Sequence, residues 1–151
     1  MEKSKNRPRI LVIHGPNLNM LGKRETDIYG KSTLDEINAD LIKTGENAGL
    51  LVETFQSNHE GAIVEKIQQA VENHSGLIIN PAAFTHTSIA IRDALLLLDI
   101  PVIEVHISNI YKREPFRHTS MISDVATAII SGFGKHGYTM ALKAISRMIL
   151  P

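Results

Sequence analysis

The sequence predicts an α/β fold, one domain built on a parallel sheet with helices on both faces. Three observations carry that expectation. Ile10–Ile13 and Gly76–Asn80 are short, almost wholly apolar runs, and Pro101–Ser108 is a third that carries Glu104 and His106; such runs read as strands covered on both faces. Between them lie stretches whose apolar residues recur at helical spacing, so strand and helix alternate along the chain. The chain has 151 residues, enough for one domain with a real core and too few for two. Residues 1–8, MEKSKNRP, read as a polar tail, and 9–151 as the single α/β domain.

The first strand, Ile10–Ile13, breaks at His14-Gly15-Pro16-Asn17, and no clear helix signal follows until Ser32-Thr33. Strand-to-helix connections usually take about two to six residues, so the loop at about 17–31 reads as a lid or binding loop. Thr33-x-x-Glu36 is a capping box with Ser32 as a competing cap, and Leu34, Ile37, Leu41 and Ala48 recur along a helix that Gly49 stops. Leu50–Gln56 alternates apolar and polar residues, as a strand at the sheet edge should. Ser57-x-x-Glu60 repeats the capping box before a second helix with Ile63, Val64, Ile67 and Val71 on its buried stripe; His59, in its first turn, reads as structural.

Gly76–Asn80 is a central strand, and residues 81–88 turn into a helix at Ile89–Leu98 that is apolar nearly all round. A helix flanking a sheet needs one apolar face, so the excess predicts contact with another subunit, across which Arg92 and Asp93 could pair. Pro101–Ser108 is the fourth strand and Val125–Ile130 the fifth, ending at Gly132-Phe133-Gly134. Tyr138, Leu142, Ile145 and Ile149 mark the closing helix. Five strands in this length fit a flavodoxin-like three-layer sandwich of order 2-1-3-4-5, with ligands at the carboxyl ends of the strands.

Composition narrows the function. Zero net charge leaves no electrostatic footprint for nucleic acid or an anionic membrane, and no apolar run approaches spanning length. The lack of cysteine removes thiolate metal sites and cysteine nucleophiles and fits a reducing cytoplasm. Residues 1–8 lack the apolar core of a signal peptide. With no tryptophan, a base-stacking platform is not expected.

The chemistry gathers at one sheet edge. His14 and Asn17 follow the first strand, Asn80 ends the third, and His106 and Ser108 end the fourth. Glu104 and His106 are two apart, so they share a face of a buried strand, where an imidazole satisfies the carboxylate. A histidine so oriented is a general acid/base candidate. His86 follows the third strand at the same mouth. Arg24, Lys112, Arg113 and Arg117 lie on loops at that end, where guanidinium groups suit an anionic substrate; Lys112 reads better as solvated surface. Arg24 precedes Tyr29 in the long loop, and a positive charge beside a tyrosine favours phenolate, a usable base; spacing alone fits better a tyrosine that packs its ring under the loop.

These residues carry a resemblance. HGPNLNMLG with RETDIYG, QSNHEG, IINPAAFTHTSIAIRDAL, IEVHISN and the Arg113-Glu114-x-Phe116-Arg117 run resemble type II 3-dehydroquinate dehydratase, in the family's order from Ile10 to about Leu150. The resemblance implies a flavodoxin-like cytoplasmic lyase that dehydrates 3-dehydroquinate to 3-dehydroshikimate, in the shikimate route or in quinate breakdown. It implies no metal and no cofactor, and a homododecamer arranged as a tetramer of trimers.

By motif, Tyr29 matches the base that removes the proton alpha to the ketone, with Arg24 its activating partner. Asn17 matches the residue that helps stabilise the enolate. His106 matches the acid that protonates the departing hydroxyl, oriented by Glu104. Asn80, Ile107 and Ser108 resemble the substrate-carboxylate site, and His86 and Arg117 the binders of the substrate hydroxyls. Asp93 matches a residue that reaches a neighbouring subunit's site, and Arg113 lies in the matching loop. Thr26 stands where the family often has proline, implying a more mobile lid, and Phe84 where tyrosine is common.

Other classes fit less well. A receiver-type signalling domain would need an acceptor aspartate where Asn80 stands, and a flavin module a Ser/Thr phosphate loop in place of His14-Gly15-Pro16-Asn17. A metal hydrolase built on His14, His86 and His106 lacks a recognised ligand spacing.

Overall fold

A computed structural model describes residues 6–23 and 25–151. Five parallel strands form one sheet in the order β2-β1-β3-β4-β5, as expected: β1 Arg9–His14, β2 Leu51–Gln56, β3 Gly76–Asn80, β4 Val102–His106 and β5 Ala128–Ser131. The helices are α1 Thr26–Tyr29, α2 Leu34–Asn47, α3 Glu60–Asn73, α4 Ile89–Leu95 and α5 His136–Ile149.

The period of two along each strand divides the core into two layers. Ile10 and Val12 of β1, Ile78 of β3 and Ile103 and Val105 of β4 pack with Ile37 and Leu41 of α2 and with Leu142 and Ile145 of α5. Leu11, Ile13, Leu77, Ile79 and Val102 take the other face, against Ile63 and Ile67 of α3 and Ile91 and Leu95 of α4. The central strands β3 and β4 are buried throughout, whereas β2 at the edge is not.

Local chemistry accounts for the starts and stops. Thr33 caps α2, its hydroxyl accepting from the Glu36 N–H at 3.2 Å, so Thr33 and not Ser32 is the cap. Gly49 follows in a left-handed conformation that releases the chain into β2.

Four expectations need correction. Ser57 does not cap α3: its hydroxyl accepts from the His59 N–H at 2.9 Å in a tight turn, and His59 itself occupies the capping position. The helix expected over Ile89–Leu98 ends at Leu95, because Leu97 and Leu98 bond in short turns to Ala94 and Leu95. Val125 and Ala126 are not strand but turn, both N–H groups donating to the Ile122 carbonyl, and β5 starts at Ala128. The long loop after β1 is not wholly irregular, since it holds a 3-10 turn at Leu18–Met20 and the single turn of α1.

The carboxyl ends of β1 and β3 are drawn together by backbone. The Gly15 N–H donates to the Asn80 carbonyl at 2.7 Å, and a Cβ at Gly15 would lie 2.4 Å from the Pro81 carbonyl oxygen. Only glycine permits that approach.

Candidate active site

At the carboxyl ends of β1, β3 and β4, a cavity of about 130 Å³ is lined by Asn17, Tyr29, Asn80, His86, Ile107, Arg113 and Arg117, among others. Six of the predicted site residues, with Arg113, therefore share one wall. Ser108 lies on a larger adjoining cavity of about 830 Å³, which Tyr29, Ile107 and Arg113 also border.

Asn17 adopts a left-handed conformation, φ 68°, at the root of the loop. Its N–H donates to Asn58 Oδ1 at 3.0 Å, while Gln56 Nε2 donates to the Gly15 carbonyl at 3.2 Å. The edge strand and the turn after it thus hold the loop root, a role for Gln56 and Asn58 that spacing alone did not reveal. On the loop itself, the Arg113 guanidinium lies over the Tyr29 ring, 5.1 Å from its centre. Arg113 also donates to Ser108 Oγ at 3.3 Å. Arg24 lies outside the described residues.

Glu104 and His106 point from β4 toward the α3/α4 layer and are joined as the alternation predicted, His106 Nε2 to Glu104 Oε2 at 2.5 Å. Both are buried. Two further donors complete the carboxylate: Thr85 Oγ1 at 2.9 Å on Oε2 and Ser123 Oγ at 2.6 Å on Oε1. Burial pushes Glu104 upward, but the bonds from His106, Ser123 and Thr85 prevail and hold it below its usual value, so it is ionised. Thr85 and Ser123 were not singled out in sequence; the available signal was that a buried carboxylate needs more than one donor. His106 sits one residue short of Ile107 on the cavity wall.

His86 donates from Nδ1 to the Thr119 carbonyl at 2.8 Å. Burial, with a smaller contribution from the charges of His106 and Arg117, lowers its pKa and favours the neutral ring. Arg117 Nε donates to Glu114 Oε2 at 2.5 Å. Asn80 accepts from the Ala82 N–H at 3.0 Å and donates to the Tyr138 hydroxyl at 2.9 Å.

Asp93 is not brought to this wall. It is exposed on α4 and borders a separate cavity with Ile89, Tyr111 and Asp124. Arg92, expected to pair across a subunit contact, is bound within its own chain by Asp124 at 2.5 and 3.0 Å. The three histidines considered as a metal set do not converge, because His14 lies on the α2/α5 side and His106 on the other. Among the described residues no group of three His, Cys, Asp or Glu side chains could hold a metal ion.

The model of the family Dehydroquinase class II matches residues 8–146. A 3-dehydroquinate dehydratase of Acinetobacter baumannii is 57% identical over 143 residues, covering 94% of this chain and 95% of its own. One from Legionella pneumophila (strain Corby) is 56% identical over 138 residues, 91% of this chain and 95% of its own. The crystal structure of a type II dehydroquinase from Propionibacterium acnes superposes with a TM-score of 0.90 at 47% identity, covering 93% of this chain and 97% of that one. Matched over nearly its whole length in sequence and in fold, the chain belongs to the class II dehydroquinase family.

Proposed function

We propose that this chain dehydrates 3-dehydroquinate to 3-dehydroshikimate through an enolate, with Tyr29 as base and His106 as acid. The observation that carries this reading is the buried Glu104–His106 pair, one residue along the strand end from Ile107 on the wall of a cavity that Tyr29, Asn17 and two arginines also line. Tyr29, as the base, takes the proton alpha to the ketone, and the electron pair passes to the carbonyl oxygen to give the enolate that Asn17 helps stabilise. The enolate then expels the hydroxyl, which leaves as water with a proton from His106. Glu104 engages Nε2, so Nδ1 is the nitrogen left to exchange that proton, and the fixed carboxylate stabilises the imidazolium. Arg24 activates Tyr29, and the Arg113 guanidinium lies over the Tyr29 ring.

Asn80, Ile107 and Ser108 bind the substrate carboxylate, and His86 and Arg117 its hydroxyls. The reaction uses neither metal nor cofactor. Asp93 serves the site of a neighbouring copy, which agrees with its exposure away from its own cavity. On the same helix and the turn after it, Ile89, Leu96 and Leu97 are 62%, 59% and 55% exposed, apolar surface that a homo-oligomer, a dodecamer of four trimers, would cover. The working place of the enzyme is the cytoplasm, in the shikimate route or in quinate breakdown.

The test separates base from acid. In deuterium oxide, proton NMR follows exchange of the alpha hydrogen of 3-dehydroquinate. Tyr29→Phe is expected to abolish both exchange and dehydration above the enzyme-free rate. Enzyme-dependent exchange that persists in Tyr29→Phe would overturn Tyr29 as base.

A further inference from the structure

On the α2/α5 side of the sheet, four polar side chains from four elements meet in the interior. Asn80 Nδ2 lies 2.9 Å from the Tyr138 hydroxyl, that hydroxyl 3.1 Å from His14 Nδ1, and His14 Nε2 2.8 Å from Asn38 Oδ1. His14 and Tyr138 are fully buried and Asn80 nearly so. We propose that Asn38, His14 and Tyr138 form a one-way hydrogen-bond chain that sets the orientation of the Asn80 amide, so that an N–H and not a carbonyl is left for the substrate. The inference deepens the proposed function and rests on its reading of Asn80 as a binder of the substrate carboxylate.

The direction of the chain follows from counting donors. Every partner of His14 is neutral, and burial favours its uncharged ring, so that ring carries one proton. Asn38 presents a carbonyl oxygen, which places that proton on Nε2 and leaves Nδ1 a bare acceptor. Tyr138 must then donate to Nδ1, and its oxygen can only accept from the other side. The Asn80 atom facing Tyr138 is therefore the amide nitrogen.

The opposite end of Asn80 gives the same answer independently. The Ala82 backbone N–H can only donate, so the atom it meets must be Oδ1. Ala82 is held at φ 52°, a left-handed conformation rare outside glycine, which ties this turn to the Asn80 bond. With Oδ1 on Ala82 and one N–H on Tyr138, the second N–H has no partner among the described residues, and Asn80 lines the cavity. Were the amide reversed, its oxygen would face the substrate carboxylate, acceptor against acceptor. Tyr138, His14 and Asn38 are thus positioning residues that act through Asn80.

Tyr138→Phe keeps the ring and removes both bonds of the hydroxyl. For 3-dehydroquinate, KM is expected to rise roughly tenfold and kcat to change by less than about threefold, the signature of lost binding without lost chemistry. An unchanged KM in a folded Tyr138→Phe overturns the chain, as does a loss confined to kcat. The unaltered protein supplies a second measurement should that variant fail to fold. Nitrogen-15 NMR of His14 is expected to show a protonated Nε2 and a bare Nδ1, and a protonated Nδ1 overturns the proposal. Asn80→Ala separates this inference from the reading beneath it. A raised KM in Asn80→Ala with a normal one in Tyr138→Phe refutes the chain alone, whereas a normal KM in Asn80→Ala refutes the binding role of Asn80.

Discussion

Two buried histidines end two strands of the same sheet, and their surroundings give them opposite characters. His106 faces the α3/α4 layer and bonds to the carboxylate of Glu104, which Thr85 and Ser123 also hold. His14 faces the α2/α5 layer and meets only an amide and a phenol. Burial drives the His14 pKa down to about 4, with the Asn38 bond opposing it only partly, so the ring is neutral in the ordinary range. Glu104, held ionised, gives His106 a fixed negative charge to work against. Side chain, depth and sheet edge are alike, so the charge of the partner is what sets the two rings apart. A neutral partner yields a ring of fixed tautomer, useful for aiming a neighbour. A charged partner gives the ring a fixed negative charge to face, the setting that the acid role proposed for His106 needs.

The largest expected effect breaks or upholds this distinction directly. His106→Ala should lower turnover by roughly a hundred- to ten-thousand-fold, while exchange of the substrate's alpha hydrogen outlasts dehydration. Steady-state kinetics and proton NMR read the two. An equal loss of turnover in His14→Gln would show that the two histidines do not differ in kind.

Acid stability comes next. His14 binds a proton more weakly folded than unfolded, so the unfolded state takes up the extra proton as pH falls. Its stabilisation is complete above the ordinary histidine value of 6.5 and is lost as pH falls through about 4. That interval is worth about 3 kcal/mol. His86, also lowered, contributes with the same sign, so the His14 share is the difference between wild type and His14→Gln. Glu104 is depressed below the ordinary carboxylate value of 4.5, so its contribution is complete above that value and is lost as pH falls from there through the lower folded value. Urea unfolding at several pH values should therefore show the His14 loss first; a stability flat between pH 6.5 and 4 in the wild type would contradict the neutral cluster.

The smallest effect tests how local the neutral cluster is. Asn38 stands on α2, whose start is capped by Thr33. Thr33→Ala should cost about 1 kcal/mol of stability in thermal or urea unfolding. KM should not move, because the cap touches none of the four side chains. A raised KM would mean that helix stability, and not the bonds themselves, aims Asn80.

The fold and half of the site were legible in the chain because they depend on short-range pattern. The alternation of apolar runs and helical stripes implied the parallel sheet, and the two-residue spacing of Glu104 and His106 placed them on one face. The cap at Thr33 needed only the residues beside it. What sequence could not supply were partners brought from far along the chain. Tyr138 reads as one more member of an apolar stripe, and its hydroxyl acquires meaning only beside Asn80 and His14, 58 and 124 positions away. Thr85 and Ser123 look like ordinary turn residues until the α3/α4 layer closes over Glu104. The strand that bears it says only that a buried carboxylate needs donors; which hydroxyls arrive depends on how the crossovers stack the layers. Local periodicity decides which face a side chain takes, and tertiary packing decides what charge it finds there.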